Sequence, residues 1–94
     1  MSESDAIRRT VQLKIQQGLH IRACSKVLAI VEGFPGKVTI SAGDKSADAS
    51  SMFDLLLLAA MPGTDLAIEA SGEGALEIID KLDVLLSTEA DETG

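Results

Sequence analysis

The chain has 94 residues, a formal net charge of −7 at pH 7 and a sequence pI near 4.4, with 46% hydrophobic but only 2% aromatic residues. A chain of this size forms one small domain, taken as 1–94, with an aliphatic core and little interior to spare, so the function is expected at the surface. The acidic balance argues against nucleic acid or an anionic membrane as partner, both of which need basic patches, and the single cysteine, Cys24, excludes an internal disulfide or a multi-cysteine metal site; no metal and no cofactor is expected.

Residues 1–7 are polar and expected to be loose, with no apolar stretch resembling a signal peptide. No later run is long enough to span a bilayer, so a cytoplasmic protein is expected. Val11, Leu13 and Ile15 alternate with Gln12, Lys14 and Gln16, the period of a half-buried strand that ends at Gly18. From Ile21, the residues Cys24, Val27, Leu28 and Val31 recur at helical spacing, and Gly33 to Gly36 stop that helix. Val38 and Ile40 mark a second strand, Gly43 and Asp44 a turn, and Ser46 to Ala49 a short third strand. Ser50 or Ser51 opens a short helix through Met52, Leu55, Leu56 and Ala59, closed by Pro62 and Gly63. Leu66, Ile68 and Ala70 form a fourth strand, and Leu76, Ile79, Leu82, Val84 and Leu86 an amphipathic helix with Glu77, Asp80, Lys81 and Asp83 outward. The ordered core is expected over about 8–87, with a loose acidic tail over 88–94. The order βαββαβα predicts an α+β, two-layer open-faced sandwich, a four-stranded mainly antiparallel sheet covered by three helices on one face.

Charge is unevenly spread. Between Ala6 and Val31 there is no acid, and five of the eight basic residues, Arg8, Arg9, Lys14, Arg22 and Lys26, lie there. Within that stretch His20, the only histidine, falls between a Gly-Leu turn and the start of a helix. Unpaired first-turn amides and the helix dipole favour an anion at such a place. An imidazole there can offer a neutral nitrogen to a phosphorus centre, while Arg22 presents a planar guanidinium to phosphoryl oxygens and Lys26 adds charge. A lone histidine in a turn is more often an ordinary surface residue, and the signal comes from the combination with Gly18, Arg22 and the local positive excess.

Gly18-Leu19-His20-Ile21-Arg22-Ala23-Cys24 resembles the G-L-H-A-R-P-A signature of the HPr family, phosphocarriers of the phosphoenolpyruvate-dependent sugar phosphotransferase system. The resemblance extends from about Thr10 to about Ser87, and the family has the same element order. It implies that His20 is phosphorylated by enzyme I and passes the group to an acceptor protein. It also implies that Arg22 steadies the phosphate, with Gln17, Ile21 and Ala23 around it. Ala23 replaces the family proline, which returns a backbone N–H but removes a fixed φ. The stretch Asp48 to Leu55 resembles the family's second signature, with Ser51 at its regulatory serine and a dedicated HPr kinase implied. Ser51 and Asp54 also form a capping pair, which is the preferred reading, since Asp54 stands where the family has glycine and would repel a phosphate. Met52, Phe53 and Leu56, with Lys26, correspond to the family's docking face. Cys24 reads as a small buried hydrophobe. The competing readings are an HPr-like adaptor with little or no phosphotransfer and an unrelated α+β ligand-binding module; a monomer is expected.

Overall fold

Along each strand apolar and polar residues alternate, and this decides which face of the sheet is covered. The computed structural model describes residues 6–88. In chain order it contains β1 (Ile7–Gln12), α1 (Ile21–Val31), β2 (Lys37–Ala42), β3 (Lys45–Asp48), α2 (Met52–Leu58), β4 (Asp65–Ser71) and α3 (Ala75–Leu86). The strands form one antiparallel sheet in the order β1-β4-β2-β3. Register puts Val11 opposite Leu66, and Ile68 opposite Ile40, which in turn faces Ala47. These residues are buried beneath the helices. The opposite face carries the row Arg8, Glu69, Thr39 and Asp48, so one face is packed and the other solvated, as the α+β expectation requires. Among the described residues no helix is long and apolar enough to cross a membrane.

The boundaries differ from the sequence expectation in instructive places. Ile7 pairs with Ala70, so β1 begins inside the stretch expected to be loose; the expectations for 1–5 and 89–94 lie outside the described residues. Regular pairing of β1 stops at Gln12. Leu13 still donates to the Thr64 carbonyl at 2.8 Å and accepts from the Gly63 N–H at 2.7 Å, which keeps Leu13 and Ile15 in the core. β3 spans Lys45–Asp48, a residue earlier than expected.

In α3 the buried set is Ala75, Ile78, Ile79, Leu82 and Leu86. Leu76 and Val84, expected in the core, are exposed, because they fall out of step with that 3.6-residue stripe, and Ala75 takes the inward position that Leu76 was expected to hold. Asp80 and Asp83, expected outward, close on Arg9 at 2.8 and 3.1 Å and tie α3 to β1. The hydrogen bond to Asp80, then that to Asp83, raises the pKa of the guanidinium.

α2 ends abruptly. Ala59, its C-cap, has φ 49° and ψ 38°, and its N–H donates to the Leu56 carbonyl at 3.1 Å. Among the described residues it is the only non-glycine residue at positive φ. A Cβ in the left-handed region costs an L-residue about 1 kcal/mol. Replacing Ala59 by Gly removes that penalty, and the variant is expected to gain about 0.5–1 kcal/mol in urea unfolding with an unchanged m-value. A loss of stability would show that the methyl group, or the entropy added to the unfolded chain, outweighs the strain.

Candidate functional site

The turn that precedes α1 is built from backbone hydrogen bonds before any side chain contributes. Gly18 N–H donates to the Ile15 carbonyl at 2.9 Å, and His20 N–H to the Gly18 carbonyl at 3.0 Å. Gly18 has φ 74°, and a Cβ placed on it would lie 2.5 Å from the Ala60 carbonyl oxygen and 3.3 Å from the Met61 Cα, so only glycine fits. Leu19 N–H donates to that same Ala60 carbonyl at 3.0 Å. The buried Cys24 thiol lies 3.8 Å from the Leu19 carbonyl, a weak donor contact from inside α1. Burial also raises the pKa of Cys24, which fits the expected small hydrophobe.

His20 is the N-cap of α1. Its backbone is extended, with φ −99° and ψ 179°, its carbonyl accepts from Cys24 N–H at 2.9 Å, and its Nδ1 accepts from Arg22 N–H at 3.3 Å. Serine, threonine and aspartate usually do this work with an oxygen. A nitrogen that accepts a hydrogen bond carries no proton, so the neutral imidazole in this geometry is protonated at Nε2 and holds its Nδ1 lone pair toward the helix N-terminus. The ring is partly exposed.

The other expected site residues sort by backbone and side chain. Arg22 is exposed and Lys26 half-buried on α1. Ala23 is buried and Ile21 is 64% exposed, so around an anion these two offer backbone N–H groups rather than side chains. Gln17 is exposed in the turn before Gly18. Of the five cations behind the local positive excess, Arg8 lies 3.5 Å from Glu69, Arg9 is held by Asp80 and Asp83, Lys14 follows β1, and Arg22 and Lys26 lie on the helix that His20 caps.

Ser51 caps α2 as the sequence suggested: its hydroxyl accepts from Asp54 N–H at 3.2 Å. The Asp54 carboxylate accepts from Asp48 N–H at 3.2 Å, a contact not foreseen in the sequence, where the usual capping pair would have turned it to the Ser51 amide. The Asp48 carboxylate accepts from the Ser50 hydroxyl at 2.7 Å and the Ser50 N–H at 2.9 Å, and these bonds, the hydroxyl first, lower its pKa. Of the expected docking residues, Met52 and Leu56 are half-buried against the core, and Phe53 is 69% exposed. Ile21, Leu57 and Met61 are exposed as well. The sequence pattern had no signal for Met61, which reaches the histidine turn only through the fold.

A family model described as the PTS HPr component phosphorylation site matches residues 7–88. The HPr phosphocarrier of Haemophilus influenzae is 34% identical over 80 residues, covering 85% of this chain and 94% of that one. The NPr phosphocarrier of Shewanella violacea is 30% identical over 86 residues, covering 92% and 94%. In three dimensions the HPr of Bacillus anthracis superposes with a TM-score of 0.83 at 22% identity, over 87% of this chain and 98% of that one, and so shares the fold. With the signature at Gly18 to Cys24 and the matched fold, the chain belongs to the HPr family of phosphotransferase-system phosphocarriers.

Proposed function

We propose that His20 receives a phosphoryl group from the phosphohistidine of enzyme I and hands it to an acceptor protein of the same phosphotransferase system. The observation that carries this reading is the Nδ1 contact with the Arg22 N–H. In that tautomer the attacking nitrogen has no proton to lose, so transfer needs no general base. The Nδ1 lone pair forms the new N–P bond, the N–P bond to the donor breaks, and the donor imidazole leaves with the electron pair. Once Nδ1 is bonded to phosphorus it no longer accepts from Arg22, and a phosphoryl oxygen takes over that N–H. The amides of Ile21 and Ala23 have no intrahelical acceptor and turn to the same anion, while the Arg22 guanidinium and Lys26 supply charge. Ala23 contributes an N–H that the family proline lacks. Gln17 borders the site from the preceding turn.

Docking is assigned to the exposed apolar side chains on α2, Phe53 above all, with Met52 and Leu56 at their base and Lys26 at the rim. A monomer in the cytoplasm, presenting one face to donor and acceptor in turn, fits this role. Ser51 is assigned to capping rather than to an HPr kinase, because its hydroxyl oxygen already serves the Asp54 amide and a phosphate there would meet the Asp54 charge.

Incubation with phosphoenolpyruvate and the host's enzyme I is expected to add one acid-labile phosphoryl group, read by intact mass, to the native chain and none to His20→Ala. An adduct that survives in His20→Ala would sink the assignment, and no adduct on a folded native chain with an active donor would give the fold an adaptor role instead. Arg22→Ala is expected to lower kcat/KM for transfer about tenfold, the loss of one charge-assisted contact at an exposed site. Ser51→Ala is expected to cost about 1 kcal/mol of stability by chemical denaturation while leaving the phosphorylation rate unchanged; a change in rate would return Ser51 to the site.

A further inference from the structure

Ala60 lies forty residues from His20 along the chain, yet its carbonyl oxygen is what holds the histidine turn from outside. It accepts from Leu19 N–H at 3.0 Å, and Gly18 packs so close to it that a methyl group there would sit 2.5 Å away. Leu19 and Ala60 are both buried, so neither the donor nor the acceptor can readily turn to water if the bond opens. The carbonyl reaches this place because Ala59 takes the left-handed conformation and swings the chain out of α2. Strain of that kind persists where the surroundings over-determine it, and it clusters at functional sites.

We propose that the Ala60 carbonyl is a positioning group for phosphotransfer: it fixes the Gly18–Leu19 peptide, one residue ahead of His20, and through it keeps Nδ1 against the Arg22 N–H in the transfer-competent tautomer. The inference rests on the assignment of His20 as the phosphoryl acceptor. Without the bond the turn still forms, but His20 leaves the cap for part of the time, and the competent fraction falls with it.

Cys24 makes the decisive experiment accessible. A synthetic segment 1–23, ending in an Ala23 thioester, can be ligated to an expressed segment 24–94 that begins with Cys24. Building Leu19 as its α-hydroxy acid replaces its N–H by an ester oxygen and removes the donor with no change of side chain; it also weakens the Gly18 carbonyl that accepts the His20 N–H, an effect that the second variant below does not share. The expressed segment carries Ala59→Gly, the substitution expected to add stability, and the all-amide Ala59→Gly protein is the reference. A second variant, Gly18→Ala in the same background, pushes on the Ala60 oxygen from another atom.

With helical circular dichroism intact, both are expected to move the imidazole 15N shifts of neutral His20 toward the tautomer mixture of an unconstrained histidine. Both are also expected to lower kcat for phosphoryl transfer by up to about fivefold, the factor that corresponds to one neutral hydrogen bond, with KM for the donor unchanged. The 15N readout does not depend on phosphorylation, so failure of the positioning role and failure of the His20 assignment are separate results. A folded ester analogue with reference 15N shifts and reference kcat would overturn the proposal. So would a fall in kcat/KM that lies wholly in KM, since that would place the effect in docking.

Discussion

The first turn of α1 exposes N–H groups that have no intrahelical acceptor, and a side chain, water or a ligand has to accept them. For the Arg22 N–H the acceptor is His20 Nδ1, the nitrogen proposed to take the phosphoryl group. The coupling has a consequence for both states of the protein. Before phosphorylation Nδ1 satisfies the Arg22 amide, which orients the ring and selects its tautomer. On the proposed assignment a phosphoryl oxygen accepts in its place afterwards, and a charged acceptor makes roughly twice as strong a bond as a neutral one. On that assignment the helix is capped in both states, and more strongly in the phosphorylated one.

What brings the rest of the site to that helix end is strand order. β4 lies beside β1, and the pairing runs past the regular strand through Leu13, Gly63 and Thr64. The loop that enters β4 therefore sits against the loop that leaves β1, which is why Ala60 and Met61 touch Gly18. A sheet with β1 at a different position would keep every element and lose the contact. Arg9 acts at the other layer, where its bonds to Asp80 and Asp83 fasten α3 over β1. Lys14 N–H donates to the Leu86 carbonyl at 2.8 Å and closes the C-terminal end of α3 on the same strand exit.

Local periodicity made most of this fold legible: the alternation at Val38 and Ile40, the helical spacing from Cys24 to Val31, and glycines at the turns all report a single segment's environment. The Gly-Leu-His-x-Arg string made the capping histidine legible for the same reason. The features that escaped are those that depend on two segments at once. Leu76 looked like core because it is apolar and close to the stripe, and only the packing of Ala75 shows that the helix is rotated away from it. Arg9 counted toward a positive region until the fold paired it. Asp54 read as half of a capping box, whereas its carboxylate turns to the Asp48 amide. Met52, Phe53 and Leu56 matched one docking pattern, and the pattern could not tell the half-buried Met52 and Leu56 from the exposed Phe53. Nothing in the run Leu58 to Pro62 announces that a carbonyl there would hold a residue near position 20.

Electrostatics resolves the apparent conflict between an acidic protein and an anion carrier. At physiological salt, charges separated by more than about 8 Å across water are largely screened, so the net charge of −7 matters less at Nδ1 than the groups beside it. Those groups are backbone amides at a helix N-terminus, the Arg22 guanidinium two residues on and Lys26 one turn further, on a helix with no acid in its first turn. Much of the acidic charge faces elsewhere or is engaged: Asp80 and Asp83 on Arg9, Glu69 near Arg8, and Asp48 and Asp54 in bonds around the start of α2. Acid on the remaining surface is then compatible with the local task and contributes to solubility. It also implies that a phosphorylated partner is attracted only at close range, so the proposed transfer calls for apolar contacts, for which the exposed Ile21 and Phe53 are the candidates, to hold the two proteins together.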